Sequence, residues 1–149
     1  MNGLRRRIAE VQVAFMLLTR LPAGRLGGGA PELAAAKWAF PLTGLVVGGS
    51  FAGVYITMSS LALPASLAAI LALGVSVMMT GGLHEDGLAD CADGFGGGQT
   101  KDQKLAIMKD SRVGSYGVLA LVLVIAARMM ALANLPATAQ SLILLISLA

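Results

Sequence analysis

WAFPLTGLVVGGSFAGVYITMSSLALPASLAAILALGVSVMMTGGL, residues 38–83, holds no charged side chain over 46 consecutive positions. A helix crossing the hydrocarbon core of a bilayer needs about 20 apolar residues, so the run is long enough for two crossings. Pro64, within Leu61-Ala-Leu-Pro-Ala65, is the natural break between them. The spans are expected near 41–60 and 65–83. A third apolar stretch runs from 113 to 135, with Arg128 near its far end. Residues 139–149, and Leu142 to Ala149 above all, read as the start of a further span that stops mid-run, so the chain looks truncated. Gly44-x-x-x-Gly48 and Gly49-x-x-x-Gly53 give the first span a small-residue face suited to close helix packing.

Composition agrees with a polytopic membrane protein. Of 149 residues only 13% are charged, against about a quarter in soluble domains. The hydrophobic share is 56% and the mean hydropathy +0.78. So little polar surface excludes a soluble globule, disorder and a coiled coil. Cys91, the single cysteine, excludes a disulfide scaffold. The net charge of +3 does not signal a nucleic-acid partner, because it divides by region. Residues 1–37 carry +4 and residues 84–112 carry −2.

Outside the spans, Leu4, Ile8, Val11, Phe15 and Leu18 recur at helical spacing beside Arg5, Arg6 and Arg7. That pattern predicts an amphipathic helix lying in the membrane interface, with residues 1–37 cytoplasmic or interfacial. A signal peptide fits less well, since Glu10 and Gln12 interrupt the apolar core and no A-x-A site follows. Basic residues precede the first span and recur in 84–112, whereas the 61–65 loop has none. The positive-inside rule then places the N-terminus and the 84–112 segment on the cytoplasmic side. The fold class expected is an all-α, polytopic integral membrane helical bundle with an interfacial N-terminal helix and a cytoplasmic acidic helix or loop.

That acidic segment carries the chemistry. In HEDGLADCADGFGGG, residues 84–98, four acids (Glu85, Asp86, Asp90 and Asp93) fall within nine positions, with no base nearer than Lys101. On a helix, Asp86, Asp90 and Asp93 lie within roughly 60° of one another, with Leu88, Cys91, Ala92 and Phe95 opposite. Like charges at these spacings destabilise a bare helix, and a divalent cation relieves them. Oxygen-only ligands point to Mg²⁺ or Mn²⁺, because one Cys and one His cannot build a zinc site alone. The plainer alternative is a solvated acidic cap.

Magnesium held this way usually serves a phosphate-bearing substrate. The Gly94–Gly98 run, including Gly96 and Gly97, offers backbone N–H groups to a diphosphate, or is only a flexible turn. It matches neither nucleotide-binding glycine fingerprint. Lys101, Lys104, Lys109 and Arg112 can pair with phosphate oxygens, Asp110 can add a metal ligand, and Ser111 or Ser115 can cap the helix that follows. Interfacial anchoring by Lys109, Arg112 and Tyr116 is the alternative. His84 is open to general acid, general base or structural roles. Cys91, on the apolar side, reads as inert packing.

HEDGLADCADGFGGG followed by LAIMKDSRVGSYG (105–117), with FMLLTRLP (15–22) upstream, resembles the cobalamin synthase family, the adenosylcobinamide-GDP ribazoletransferases. Family chains are considerably longer, and this one resembles their N-terminal portion. The resemblance implies a multi-pass enzyme of the prokaryotic plasma (inner) membrane that needs Mg²⁺. A hydroxyl of α-ribazole, or of its 5′-phosphate, attacks the phosphorus bearing the cobinamide, and GMP leaves. Carried over by residue, Asp86, Asp90 and Asp93 become metal ligands, with Glu85 a fourth candidate. Lys109, Asp110 and Arg112 match the family's second motif, and Arg112 would neutralise charge on the leaving phosphate.

Two rivals differ in class. A CDP-alcohol phosphotransferase would need an Arg after Asp86-Gly-Leu-Ala and later-spaced Asp residues. A divalent-cation transporter would use the acids as its selectivity site, but the nearby Lys and Arg oppose cation entry. A purely structural subunit gives no reason for clustered acids. The small-residue face also admits a homo-oligomer.

Overall fold

The computed structural model describes residues 3–134. Among these there are helices and no strand. The expected further span at 139–149 lies outside the described residues.

Helix α1 is Gly3–Leu18 and α2 is Leu33–Ala36; α2 continues through a 3₁₀ turn, Lys37–Ala39, into α3, Phe40–Ser60. Pro41 sits in the first turn of α3, where its missing N–H leaves no bond unmade. The run Leu33–Ser60, 28 residues, is long and apolar enough to cross a membrane. Pro64 then caps α4, Ala65–Thr80. The expected boundary at 60–65 therefore stands where the prolyl break predicts it.

The second expected span, 65–83, ends early. At Gly81 and Gly82 φ is +71° and +74°, left-handed values that only glycine adopts without strain. The chain turns by 90° there and enters α5, Leu83–Gly97. Together α4 and α5 form a broken span or a re-entrant turn by length and composition. A Cβ at Gly81 would overlap the side chain of Arg20, whose own N–H bonds to Met79 O at 2.7 Å. The loop after α1 is thereby laid against the end of α4.

Segment 84–112, expected as a helix or loop, is two helices. α6, Lys101–Met108, opens with a capping box in which the Gln103 N–H donates to Thr100 Oγ1 and the Thr100 N–H donates to Gln103 Oε1. α7, Ser115–Ala133, is the second helix with the length and composition of a span, close to the expected 113–135. It lies antiparallel along α5. Its far end completes a core of Phe51 and Tyr55 from α3, Ala68, Ala69, Ala72 and Leu73 from α4, and Leu132. The alanines of α4, rather than the glycine face of α3, make the close approach. Gly49 and Gly53 are exposed, and Gly44 and Gly48 line a cavity.

In α1 the inward side is not the apolar stripe. Leu4 and Ile8 are exposed, and Glu10 and Ala14 are buried. Burying Glu10 is tolerable because three donors meet its carboxylate: Trp38 Nε1 at 2.7 Å, Arg7 at 2.9 Å and Arg6 at 3.0 Å. The Arg7 guanidinium lies 5.3 Å from the centre of the Trp38 ring. These donors, Trp38 first, hold the Glu10 carboxyl below its usual range.

Candidate active site

Helix α5 carries all four acids of the first motif. Glu85 and Asp86 occupy its first turn, where the helix dipole favours negative charge. Glu85 also pairs with Arg128 of α7 at 3.5 Å. Asp93 is buried, and both its oxygens accept backbone N–H groups at the start of α7, from Gly114 at 2.7 Å and Gly117 at 2.8 Å. Helix ends and one arginine therefore meet much of the repulsion expected to require a cation.

The cap of α7 thus comes from another helix. Its N-cap residue is Gly114, which makes no side-chain cap, and neither Ser111 nor Ser115 fills that role. A Cβ at Gly114 or at Gly117 would overlap the Asp93 carboxylate, so glycine is required at both positions for the close approach.

Asp86 is exposed and Asp90 half-buried on the same stripe of α5, two turns and one turn before Asp93. Among the described residues neither takes part in an ion pair. No three His, Cys, Asp or Glu side chains converge closely enough to hold a metal ion, again among the described residues. The donor chemistry still suits a largely hydrated Mg²⁺, which commonly takes one or two carboxylates and completes its shell with water and substrate phosphate. Asp86 and Asp90, one turn apart, supply such a pair. Asp93 does not fit as a third ligand while its oxygens hold α7.

The glycine run departs from the expected phosphate cradle. Gly94, Gly96 and Gly97 lie inside α5, where their N–H groups serve the helix, and the Gly98 N–H bonds to Gly94 O at 3.1 Å. Their smallness serves packing. A Cβ would strike Met108 at Gly94 and the Tyr116 ring at Gly96. Cys91, expected to pack, is exposed, as is Phe95 beside it on the apolar side, because α5 presents Ala89 and Asp93 to α7 and Gly94 to α6 instead.

Two hollows flank α5. One, of about 380 Å³, lies at the start of α7 and is bounded by Asp93, Gly97, Asp110, Arg112, Gly114 and Ser115. It gathers residues from both motifs. Asp110 grips Arg112 there at 2.6 Å, and these hydrogen bonds hold its carboxyl down at about 2. The same pairing raises the Arg112 pKa. Lys109 and Ser111 are exposed on the adjoining turn. Lys104 lies over the Phe95 ring at 4.7 Å.

The second hollow, about 480 Å³, lies between the start of α3, the end of α4, the start of α5 and the far half of α7. Phe40, Val47 and Phe51 form apolar wall; of the polar lining, the Ser76 and Thr80 hydroxyls bond to carbonyls of their own helix, and Thr43, His84, Glu85 and Arg128 decide its chemistry. Thr43 and Arg128 were not among the site residues expected from sequence. A lone arginine in an apolar span was a usable signal for the second; no sequence signal marks the first.

Among the described residues, the structure is helical, with helices of spanning length and a carboxylate-bearing helix beside an arginine-edged hollow, which is the make-up of a membrane protein. The family description "CobS: Cobalamin-5-phosphate synthase" matches residues 10–149, and the chain belongs to that family. It is 50% identical over 131 residues to the adenosylcobinamide-GDP ribazoletransferase of Bradyrhizobium diazoefficiens, covering 87% of this chain and 50% of the relative. For the protein of the same name from Mesorhizobium japonicum the identity is 44% over 143 residues, covering 96% and 55%. That from Xanthobacter autotrophicus is 48% identical over 139 residues, covering 89% and 52%. The chain spans about half the length of these curated relatives. No solved structure matches it.

Proposed function

We propose that this chain is the part of an adenosylcobinamide-GDP ribazoletransferase that holds the diphosphate and presents the acceptor alcohol. The observation that carries the reading is α5 itself. Two carboxylates without an ion pair among the described residues, Asp86 and Asp90, lie along α5 between the residues that border a hollow edged by Arg112 and those that border a second hollow whose own charges cancel.

In the reaction, a hydroxyl oxygen of α-ribazole forms a bond to the phosphorus bearing the cobinamide. The bond from that phosphorus to the bridging oxygen of the diphosphate breaks, GMP leaves with the bridging oxygen, and the hydroxyl proton passes to a base. His84 and Glu85 are the bases at the edge of the larger hollow. Phosphoryl transfer depends mainly on alignment and charge neutralisation. Arg112, held in place by Asp110, is aimed to meet phosphate charge, and Lys109 and Ser111 adjoin it. Mg²⁺, held by Asp86 and Asp90, would supply further neutralisation of the diphosphate. Asp93 fixes the start of α7, and with it the Arg112 turn, against α5. The protein would sit in the prokaryotic plasma membrane with α5 and the N-terminus toward the cytoplasm, where the soluble substrates are.

The test is turnover by membranes bearing the full-length protein, given adenosylcobinamide-GDP and α-ribazole with Mg²⁺ and then with EDTA. Cobalamin and GMP formed only with the metal support the reading. Absence of product from correctly inserted protein refutes it.

A further inference from the structure

The larger hollow has features that phosphate binding does not use. Its volume, about 480 Å³, is that of a small-molecule pocket rather than a packing defect. Thr43 lines it, is 1% exposed, and its hydroxyl has no hydrogen-bond partner among the described residues. A buried hydroxyl left unpaired is costly, so native structures leave one mainly where something else completes it. The two charged groups, Glu85 and Arg128, lie 3.5 Å apart and neutralise each other. The occupant therefore needs no net charge. Phe40, Val47 and Phe51 offer a wall for a flat ring, while Thr43 and His84 offer polar atoms to hydroxyl groups.

We propose that this hollow binds the acceptor of the reaction, a neutral, ring-bearing alcohol of nucleoside size, with its ring against Phe40, Val47 and Phe51 and its hydroxyls toward Thr43 and His84. This rests on the transferase reading above, in which α-ribazole has that chemistry and the diphosphate substrate is far too charged and too large for the space. The hollow borders His84 and Glu85 in the first turn of α5, the turn that also carries Asp86.

The experiment uses the full-length protein in lipid nanodiscs, with α-ribazole as probe in both equilibrium dialysis and steady-state turnover. Thr43→Val removes the hydroxyl at constant shape, and Val47→Phe fills the space. We expect Thr43→Val to weaken α-ribazole binding three- to tenfold, the scale of one hydrogen bond, and to raise KM for α-ribazole alike. KM for adenosylcobinamide-GDP stays unchanged, and the melting temperature is equal to or above that of the parent protein. Val47→Phe raises the same KM more than tenfold. A Thr43 with only a structural role would give the unchanged or raised melting temperature with no shift in α-ribazole affinity, and that result overturns the proposal. So does a hollow filled by the remainder of the natural chain, which shows as unaltered α-ribazole affinity in Thr43→Val and loss of folding in Val47→Phe. Binding that is weakened by Thr43→Val supports the site even where no cobalamin forms. Turnover with unaltered α-ribazole affinity in Thr43→Val removes the site and leaves the reaction standing.

Discussion

The Asp93 carboxylate, on α5, accepts the backbone N–H of Gly117, on α7, at 2.8 Å while its other oxygen takes the Gly114 N–H. One side chain therefore joins the acidic motif to the start of α7, 24 residues later. Loss of this contact separates structure from catalysis. Asp93→Ala leaves two N–H groups without acceptors in a half-buried to buried site, at a cost of about 2 kcal/mol. Asp93→Asn keeps one oxygen acceptor and falls between the two. Thermal unfolding of the detergent-solubilised full-length protein checks the order; equal melting temperatures for the parent and Asp93→Ala would show that the cap contributes nothing.

Asp90→Asn and Asp86→Asn should behave in the opposite way. Among the described residues neither side chain is paired, so each substitution should leave membrane insertion and melting temperature near the parent values. Turnover is abolished if these carboxylates hold the metal that the diphosphate requires. Near-normal activity in Asp90→Asn removes the metal-site reading.

Gly117→Ala places a methyl group against both the Asp93 carboxylate and Ala89. Overpacking of this kind costs about 1–3 kcal/mol, and here the displaced group is the cap itself. A drop in melting temperature similar to that of Asp93→Ala is expected. The double variant should lose little more than either single one, because both break the same contact.

Asp110 ionises far below neutrality because Arg112 hydrogen-bonds its carboxylate, with a pKa of about 2 against an ordinary 3.8. A folded-state value that is depressed means the interaction is fully present above the ordinary value and fades only as pH falls toward 2. Any acid limb in the pH–rate profile above pH ~4 therefore belongs to another group. Asp110→Asn should lower activity through a looser Arg112 and leave the position of that limb unmoved. A limb that shifts in this variant would contradict the assignment.

Trp38, the single tryptophan of this chain, donates to Glu10 and so reports its charge. The Glu10 carboxyl is held below its ordinary 4.5, chiefly by that bond. Emission from Trp38 should stay constant from neutral pH down to 4.5 and change only below it. Glu10→Gln should abolish the change and weaken the docking of α1. A transition above pH 4.5 would mean the burial of Glu10 outweighs its donors.

Much of this was legible beforehand because it rests on local pattern. The uncharged run with Pro64 marked α3 and α4, and the spacing of Asp86, Asp90 and Asp93 marked one side of a helix. What could not be read depended on which neighbour each side chain meets. The stripe at 86, 90 and 93 looks uniform in sequence, yet contact with α7 turns Asp93 inward and leaves Asp86 in solvent. The glycines at 94 and 96 read equally well as a phosphate cradle, until Met108 and Tyr116 close on them. Likewise Thr43 is one hydroxyl among many in α3, distinguished only by a cavity built from four helices. The capping box at Thr100 and Gln103 was local and readable, since it needs only a T-x-x-Q spacing.

The corner at Gly81 and Gly82 is made by backbone torsion, with no side chain setting the angle. Its direction is therefore insulated from mutational drift in the apolar faces of α4, which can exchange one lipid-compatible residue for another without re-aiming the acids. The same economy concentrates vulnerability. A single base change replacing either glycine strains the corner that aims α5 and its four acids, so two codons bear a constraint that the apolar positions of α4 escape.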